Sequence, residues 1–278
     1  ERTITTVHDV VFLKYPELYD PIDLEAQKRG LEFALKFAKK IIVPSQATKE
    51  AVVAAGGRPA QIVVITHGVE MANSYGSAPQ TLAASAPPKA AQIANSRYIL
   101  FIGRLEKKKN VLGLIQAFRY LCTNYESGTN ITNPLKLVLA GPLGYGGEDV
   151  LQAIKTFKLQ DRVIHLGWVN SAQYLELLRG AALLVLPSFG EGFGLPVLEA
   201  MAVGMPVVCS DISVLHEVGG KAVQYVNPRD PENMARGLQT VLDSPMLQSE
   251  MIRRGKERAQ EFTWEKAAQE TWQIITSL

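Results

Sequence analysis

Short apolar runs and stretches of helical spacing take turns along this chain. In the first part, a β-branched run at 3–7 predicts a strand. Residues 24–40 carry helix spacing, with Leu31, Leu35 and Ala38 on one side. Residues 41–43 read as a second strand and 45–55 as a helix, with Ser45 as N-cap and Gly56-Gly57 as its stop. A third strand is expected at 61–65, running into His67-Gly68-Val69-Glu70.

Residues 72–95 lose this periodicity and are rich in Ala, Ser and Pro, which predicts a linker or mobile loop dividing the chain. A second series then runs over 97–262. Strands are expected at 98–102, 135–140, 163–166, 183–186 and 206–209, with helices at 111–121, 150–157, 171–178 and 196–203. On the helix at 111–121, Leu114, Phe118 and Leu121 share one face. Asp230-Pro231-Glu232 marks a further helix start, with a capping acid, a proline at the first position and an acid on the dipole. Residues 263–278 make one amphipathic helix with Trp264, Ala267, Ala268, Trp272 and Ile275 as its stripe. Its two tryptophans predict docking against something substantial. The alternation predicts the α/β class, with parallel sheets covered by helices. The units are 1–71, a linker at 72–95, 96–262, and a closing helix at 263–278.

Composition changes this picture little. The chain has 278 residues, enough for one large or two modest domains. A net charge of +2 demands no polyanion, so no nucleic-acid partner is expected, while peripheral contact with an anionic membrane stays open. No apolar run approaches the roughly 18 residues that span a bilayer, and residues 1–20 lack a charged-then-apolar signal pattern. Cys122 and Cys209 are far apart, and Cys209 falls in a predicted buried strand. There a free thiol packs as a small hydrophobe, which suits a reducing, cytoplasmic compartment.

The densest chemistry lies at 187–211, PSFGEGFGLPVLEAMAVGMPVVCSD. An apolar run leads into a loop with Gly190, Gly192 and Gly194 at alternate positions, then into a helix with Pro196 in its first turn. A helix start behind a glycine-rich loop offers unpaired N–H groups and a positive dipole end, which suit phosphate. Glu191 lies in the loop and Glu199 about one turn into the helix. A carboxylate only accepts hydrogen bonds, so beside phosphate it serves to hold sugar hydroxyls. Glu199 alone also reads as an acid favoured by the dipole. Two acids separated by seven residues around FGLP favour the first reading. This stretch resembles the E-x7-E signature of retaining GT-B glycosyltransferases of the family 4 type. The resemblance implies donor binding by Gly192, Phe193, Gly194, Leu195 and Glu199, with Glu199 on the ribose and Glu191 on the hexose hydroxyls.

Further segments extend the resemblance over nearly the whole chain. Gly103-Arg104-Leu105-Glu106-Lys107-Lys108-Lys109-Asn110 follows a predicted strand, where cationic side chains enter the ligand crevice of an open α/β sheet. Arginine forks onto phosphate oxygens and lysine supplies a point charge. Lys107 and Lys108 read as solvated charges. The segment is similar to the family's G-R-L-x-x-x-K-G/N motif, which implies that Arg104 and Lys109 contact the donor diphosphate. His8-Asp9 closes the first predicted strand, and a histidine beside an acid is often structural. VHDVVFLKYPELY, however, resembles the family's H-D segment, which implies an active-site role for His8 near the donor sugar and leaves Asp9 unassigned. Its continuation into PEL looks most like mannosyltransferase-type members. His67-Gly68-Val69-Glu70 resembles the family's N-G-V-D segment, with His for Asn and Glu for Asp, and is read as interdomain structure. Trp168-Val169 stands where the family holds the nucleobase, although Trp168 also reads as packing.

GPLGYGG at 141–147 does not continue as G-x-G-x-x-G, because residue 149 is Asp, so no dinucleotide cofactor is expected. D-x-D, zinc-spaced His/Cys, G-x-S-x-G and P-loop patterns are all missing from the sequence. A metal-independent site that supplies its own positive charge is therefore expected, with a nucleoside-diphosphate sugar as substrate and no cofactor. The resemblance implies two Rossmann-like domains, the N-terminal one incomplete. It implies transfer of a mannosyl or glucosyl group to a saccharide or lipid-linked saccharide hydroxyl, with retention. The alternative is a non-catalytic or partner-dependent nucleotide-sugar-binding subunit; an epimerase fits the paired E-x7-E and G-R…K motifs less well. About 70 residues ahead of the linker allow only some three strands, fewer than a two-sided sheet domain holds. The expectation is a short or truncated form whose residues 1–70 are covered by another copy, a partner subunit or a membrane.

Overall fold

Two all-parallel sheets organise this computed structural model, which describes residues 3–70, 93, 96–125 and 134–277. The first sheet comprises β1 (Ile4–Thr6), β2 (Lys40–Val43) and β3 (Ile62–Val64), paired in that order. The second comprises β4 (Tyr98–Ile102), β5 (Lys136–Ala140), β6 (Val163–Gly167), β7 (Leu183–Leu186), β8 (Val207–Ser210) and β9 (Gln224–Val226). Their order is β6-β5-β4-β7-β8-β9. The chain winds outward from β4 through β5 to β6, then returns to β7 on the other side of β4. Strand order therefore reverses between β4 and β7, and a crevice opens at their carboxyl ends.

The two central strands of the second sheet, β4 and β7, are apolar throughout because both faces are covered. Ile99 and Phe101 of β4 pack with α4 (Val111–Tyr125), α5 (Gly147–Thr156) and α9 (Pro231–Asp243). Leu100 and Ile102 face α6 (Ser171–Gly180), α7 (Leu195–Val203) and α8 (Ser213–Gly219). In the first sheet, Ile41 and Val43 pack with Leu31 and Ala34 of α2 (Pro21–Phe37) and Val52 of α3 (Gln46–Ala54). Ile42 points to the opposite face, as strand alternation requires, and meets Ile274 of α11 (Trp264–Thr276). The last helix thus crosses back to the first sheet. Two connections run side by side there: Val69 N–H donates to Phe262 O at 3.1 Å, and a side chain on Gly68 would collide with the Trp264 backbone.

Several expectations change. α2 begins at Pro21 because the Asp20 carboxylate accepts from Ile22 N at 2.9 Å and Pro21 takes the first position. Before it lie α1 (Val11–Lys14) and a 3-10 turn, Pro16–Leu18, too short to show periodicity. The α11 stripe is displaced: Ala267 and Ile274 meet the sheet, while Trp272 is 64% and Ile275 48% exposed. Large aromatics mark the wrong face: the side chains that pack between α11 and the sheet are Ala267 and Ile274 against Ile4, Ile42, Val63 and Ile65. α8, β9 and α10 (Pro245–Ala259) have no counterpart among the elements that the sequence pattern predicts. The linker expected at 72–95 lies outside the described residues apart from Ile93, which is buried in the second domain's core.

Candidate functional site

β7 runs into the loop that carries Glu191, and that carboxylate is fixed from two sides. Ser188 Oγ donates to Glu191 Oε1 at 2.6 Å. Lys109 Nζ donates to Oε1 at 2.7 Å and to Oε2 at 2.9 Å. The lysine and glutamate side chains are only 17% and 11% exposed. Lys109 is aimed there by Asn110, which ends the 3-10 turn Lys107–Lys109 in the left-handed region at φ 55°. Asparagine tolerates that region better than most residues. Its Nδ2 donates to Pro187 O at 3.1 Å and Pro228 O at 2.7 Å, tying the turn after β4 to the loop after β7. Burial pushes the Lys109 pKa down, but Glu191, with smaller contributions from Glu106 and Asp9, more than offsets this, so the net shift is upward and the ammonium stays charged.

Gly194 precedes α7 at φ 103°, a conformation strained for any side chain, and the first-turn N–H groups of a helix follow. Glu199, on the same helix, accepts a short hydrogen bond from the Tyr174 hydroxyl of α6. Burial raises the Glu199 pKa, and the tyrosine bond pulls against that rise. Arg104 is exposed just beyond β4, and its guanidinium has no hydrogen bond or ion pair among the described residues. Trp168, after β6, is 72% exposed, so the packing reading of this residue fails, whereas Val169 rests against the core. Phe193 is buried, with its ring 5.1 Å from His67 and 5.8 Å from Phe262. That leaves its backbone, not its side chain, for a ligand.

The first domain comes in over this loop. A Cβ on Gly192 would collide with the His8 carbonyl oxygen, so the two backbones approach as closely as glycine permits. The His8 ring lies 5.8 Å from that of His67. Burial, and then the charge of His8, depress the His67 pKa. Ser45 and Thr48, at the start of α3, both donate to Gly192 O. The Glu217 carboxylate of α8 accepts from Gln46 N and Ala47 N. Lys108 is not a solvated charge: its Nζ lies 3.7 Å from both Asp9 Oδ2 and Glu106 Oε1, and 5.2 Å from the Tyr19 ring centre. Lys107 lies over the Tyr145 ring at 4.5 Å. A cavity of about 390 Å³ between the domains borders Gly190 and Glu191 on one side and Tyr15 and Thr48 on the other.

The structure thus places Arg104 and Lys109 just beyond β4, and Glu191 and the start of α7 just beyond β7, at the carboxyl ends where strand order reverses, and it joins Lys109 directly to Glu191; Glu199 lies further along α7, and the His8 carbonyl faces Gly192 across the domain junction. Ser188, Tyr174, Ser45, Thr48 and Glu217 escape sequence reasoning. Only Ser45, as a helix cap, carries a local signal.

The chain has known relatives. The family model described as glycosyl transferases group 1 matches residues 86–258, and that described as glycosyltransferase family 4 matches residues 1–73. The chain is 31% identical over 272 residues to the O-antigen chain mannosyltransferase B of Escherichia coli, an alignment covering 98% of this chain and 69% of that protein. Among solved structures it is similar to Anabaena HepE in complex with UDP and glucose, at a TM-score of 0.80 and 24% identity, over 100% of this chain and 72% of that one. It is also similar to sucrose-phosphate synthase from Thermosynechococcus elongatus, at 0.77 and 22%, over 99% and 67% of the two chains. At these identities the structural likeness shows the fold, which is GT-B.

Proposed function

We propose, because this chain belongs to the glycosyl transferases group 1 family, that it moves a hexosyl group from a nucleoside-diphosphate sugar to a hydroxyl of a saccharide or lipid-linked saccharide, with retention of configuration. The observation that carries the reading is the Lys109–Glu191 ion pair, which joins the turn after β4 to the loop after β7 where strand order reverses; Arg104 follows β4 and Glu199 lies on the helix that starts behind the same loop. The barrier to such a transfer is departure of the diphosphate from an oxocarbenium-like sugar. Stabilising the leaving charge lowers that barrier more than any other effect open to the site. Arg104 forks onto the phosphates, Lys109 adds a point charge, and the first-turn N–H groups at Leu195 add the helix dipole. With three such sources of positive charge, the reaction needs no metal. Glu199 takes the ribose hydroxyls, Glu191 the hexose hydroxyls, and Trp168-Val169 the base. His8 approaches the sugar from the other domain. The donor diphosphate competes with Glu191 for Lys109, which turns the carboxylate toward the sugar as the phosphates seat. The E. coli relative supports mannosyl over glucosyl as the group moved.

The test is calorimetry and product analysis with GDP-mannose, UDP-glucose and ADP-glucose. A donor at a hundred times its Kd adds about 2.7 kcal/mol of stability, which a thermal-shift panel detects. Glu199→Gln is expected to weaken free nucleotide and sugar nucleotide alike. Glu191→Gln is expected to weaken only the sugar nucleotide and turnover. Equal losses of free nucleotide in both variants would refute the division of roles. Donor binding without transfer to any acceptor hydroxyl would leave a binding subunit in place of the enzyme.

A further inference from the structure

Two buried hydroxyls of the first domain take no part in that reading, yet both reach the loop at its centre. Ser45 is 1% and Thr48 4% exposed. Ser45 Oγ donates to Gly192 O at 2.8 Å, and Thr48 Oγ1 donates to the same oxygen at 3.2 Å. A carbonyl oxygen has two lone pairs and accepts from both; Ser45 Oγ also lies 2.9 Å from Thr48 Oγ1, so the two hydroxyl protons are shared among three contacts. Ser45 Oγ meanwhile accepts Thr48 N–H at 3.1 Å, the N-cap bond of α3. The first two N–H groups of that helix, Gln46 and Ala47, each donate to the Glu217 carboxylate at 2.7 Å. The start of α3 is therefore held both by its own N-cap and by four bonds to the second domain.

The carbonyl they hold sits at a sensitive place. Gly192 O belongs to the peptide whose N–H is that of Phe193. A trans peptide is planar, so its C=O and N–H point in opposite directions. Fixing the oxygen toward α3 fixes the Phe193 N–H away from it. With the Phe193 side chain buried, that N–H is what the residue has to offer a ligand. Only the 191–192 peptide separates it from Glu191.

We propose that Ser45 and Thr48 are positioning residues for the donor sugar. When the two domains are together, their hydroxyls lock the 192–193 peptide, and with it the aim of Phe193 N–H and the backbone beside Glu191, whose carboxylate Ser188 and Lys109 hold. The proposal rests on the transferase reading and deepens it: the nucleotide half of the donor is read by the second domain alone, while recognition of the sugar half requires α3.

The readout is the sugar increment, the ratio of Kd for the bare nucleoside diphosphate to Kd for its sugar conjugate, measured by calorimetry with GDP against GDP-mannose and UDP against UDP-glucose. Losing the two hydrogen bonds in Ser45→Ala/Thr48→Val is expected to cut the increment roughly 5- to 30-fold, with the bare-nucleotide Kd unchanged. Thr48→Ser keeps the hydroxyl and is expected to keep the increment. Thr48→Val alone preserves the helix cap and is read if the double variant does not fold. Loss of bare and conjugated nucleotide in equal measure would overturn the proposal, as would an increment that survives both substitutions. A wild type that binds none of the four ligands, nor ADP or ADP-glucose, would instead overturn the transferase reading itself, and this proposal with it.

Discussion

Replacing Lys109 with methionine tests the electrostatic centre of the site. The residue keeps its length and loses its charge, leaving Glu191 with Ser188 as its remaining partner in the structure. At 2.7–2.9 Å the gross attraction of the pair at an effective dielectric of 20 is roughly 6 kcal/mol. Desolvation of two largely buried ions takes back most of it. A net coupling of about 1.5–3 kcal/mol is left, the range for hydrogen bonds between charged groups. Lys109→Met alone is expected to cost more than this coupling, about 3 kcal/mol, because it strands a carboxylate in a poorly solvated place. For a domain of this size, about 3 kcal/mol lowers Tm by about 6–12 °C. Adding Glu191→Gln removes the stranded charge and is expected to restore at least half of the loss. The assay is a double-mutant cycle by thermal or urea unfolding of wild type, both single variants and the double. Strictly additive losses, or a Lys109→Met protein as stable as wild type, would refute the claim that these two charges are held against each other.

Three further outcomes follow from the same geometry. Arg104→Ala removes an exposed guanidinium that no described residue engages, so Tm stays within about 1 °C while nucleoside-diphosphate affinity falls about 10- to 100-fold; a monophosphate that suffers equally in the same titration would move Arg104 off the diphosphate. Tyr174→Phe deletes the bond that draws the Glu199 pKa down, leaving burial to raise it further, so the acid-side loss of nucleotide binding shifts to higher pH, and an unshifted pH profile counts against Glu199 as the ribose acceptor. The depressed His67 pKa means that unfolding takes up a proton below the ordinary value of about 6.5. Stability from the neutral ring is whole above that pH and is lost as pH falls through the folded value. As pH falls from above the ordinary value of about 6.5 to below it, wild type is therefore expected to lose more Tm than His67→Gln; parallel curves would show that the ring is not buried neutral.

The second domain is legible almost strand by strand, since strands covered on both faces leave uninterrupted apolar runs that end at glycine or proline. The pattern places β4 and β7 to the residue, and the cap at Asp230 is seen accepting from Glu232 N and Asn233 N. What escapes are elements whose signals are non-local. β9 has three residues and α8 seven, too few for a period to emerge. Lys108 looks solvated in sequence because its partner Asp9 is about a hundred positions away and in the other domain. Tyr174 carries no local mark at all, because its hydroxyl matters only once α6 is laid beside α7. Residue chemistry at 103–110 and 187–199 names most of the candidate site, and the partners that orient those side chains have to be read from the fold.

The three glycines at alternate positions in the loop show why a motif is more than its spacing. In sequence they read as one flexible stretch, yet each meets a different demand. Gly190 leaves room for the Val11 side chain, which a Cβ would approach to 2.6 Å. Gly192 admits the His8 carbonyl, so there the constraint is one backbone against another and no rotamer change relieves it. Gly194 supplies the positive φ from which α7 starts. Two of the three needs are thus imposed by the first domain, although the loop belongs to the second. The carboxylate of Glu191 is set from within its own domain by Ser188 and Lys109, while the next carbonyl is set from across the junction by Ser45 and Thr48. A loop held from both sides at adjacent residues can have its working shape only when the domains are together. The contact between them is in that sense part of the site, and the glycine spacing in the sequence is its imprint.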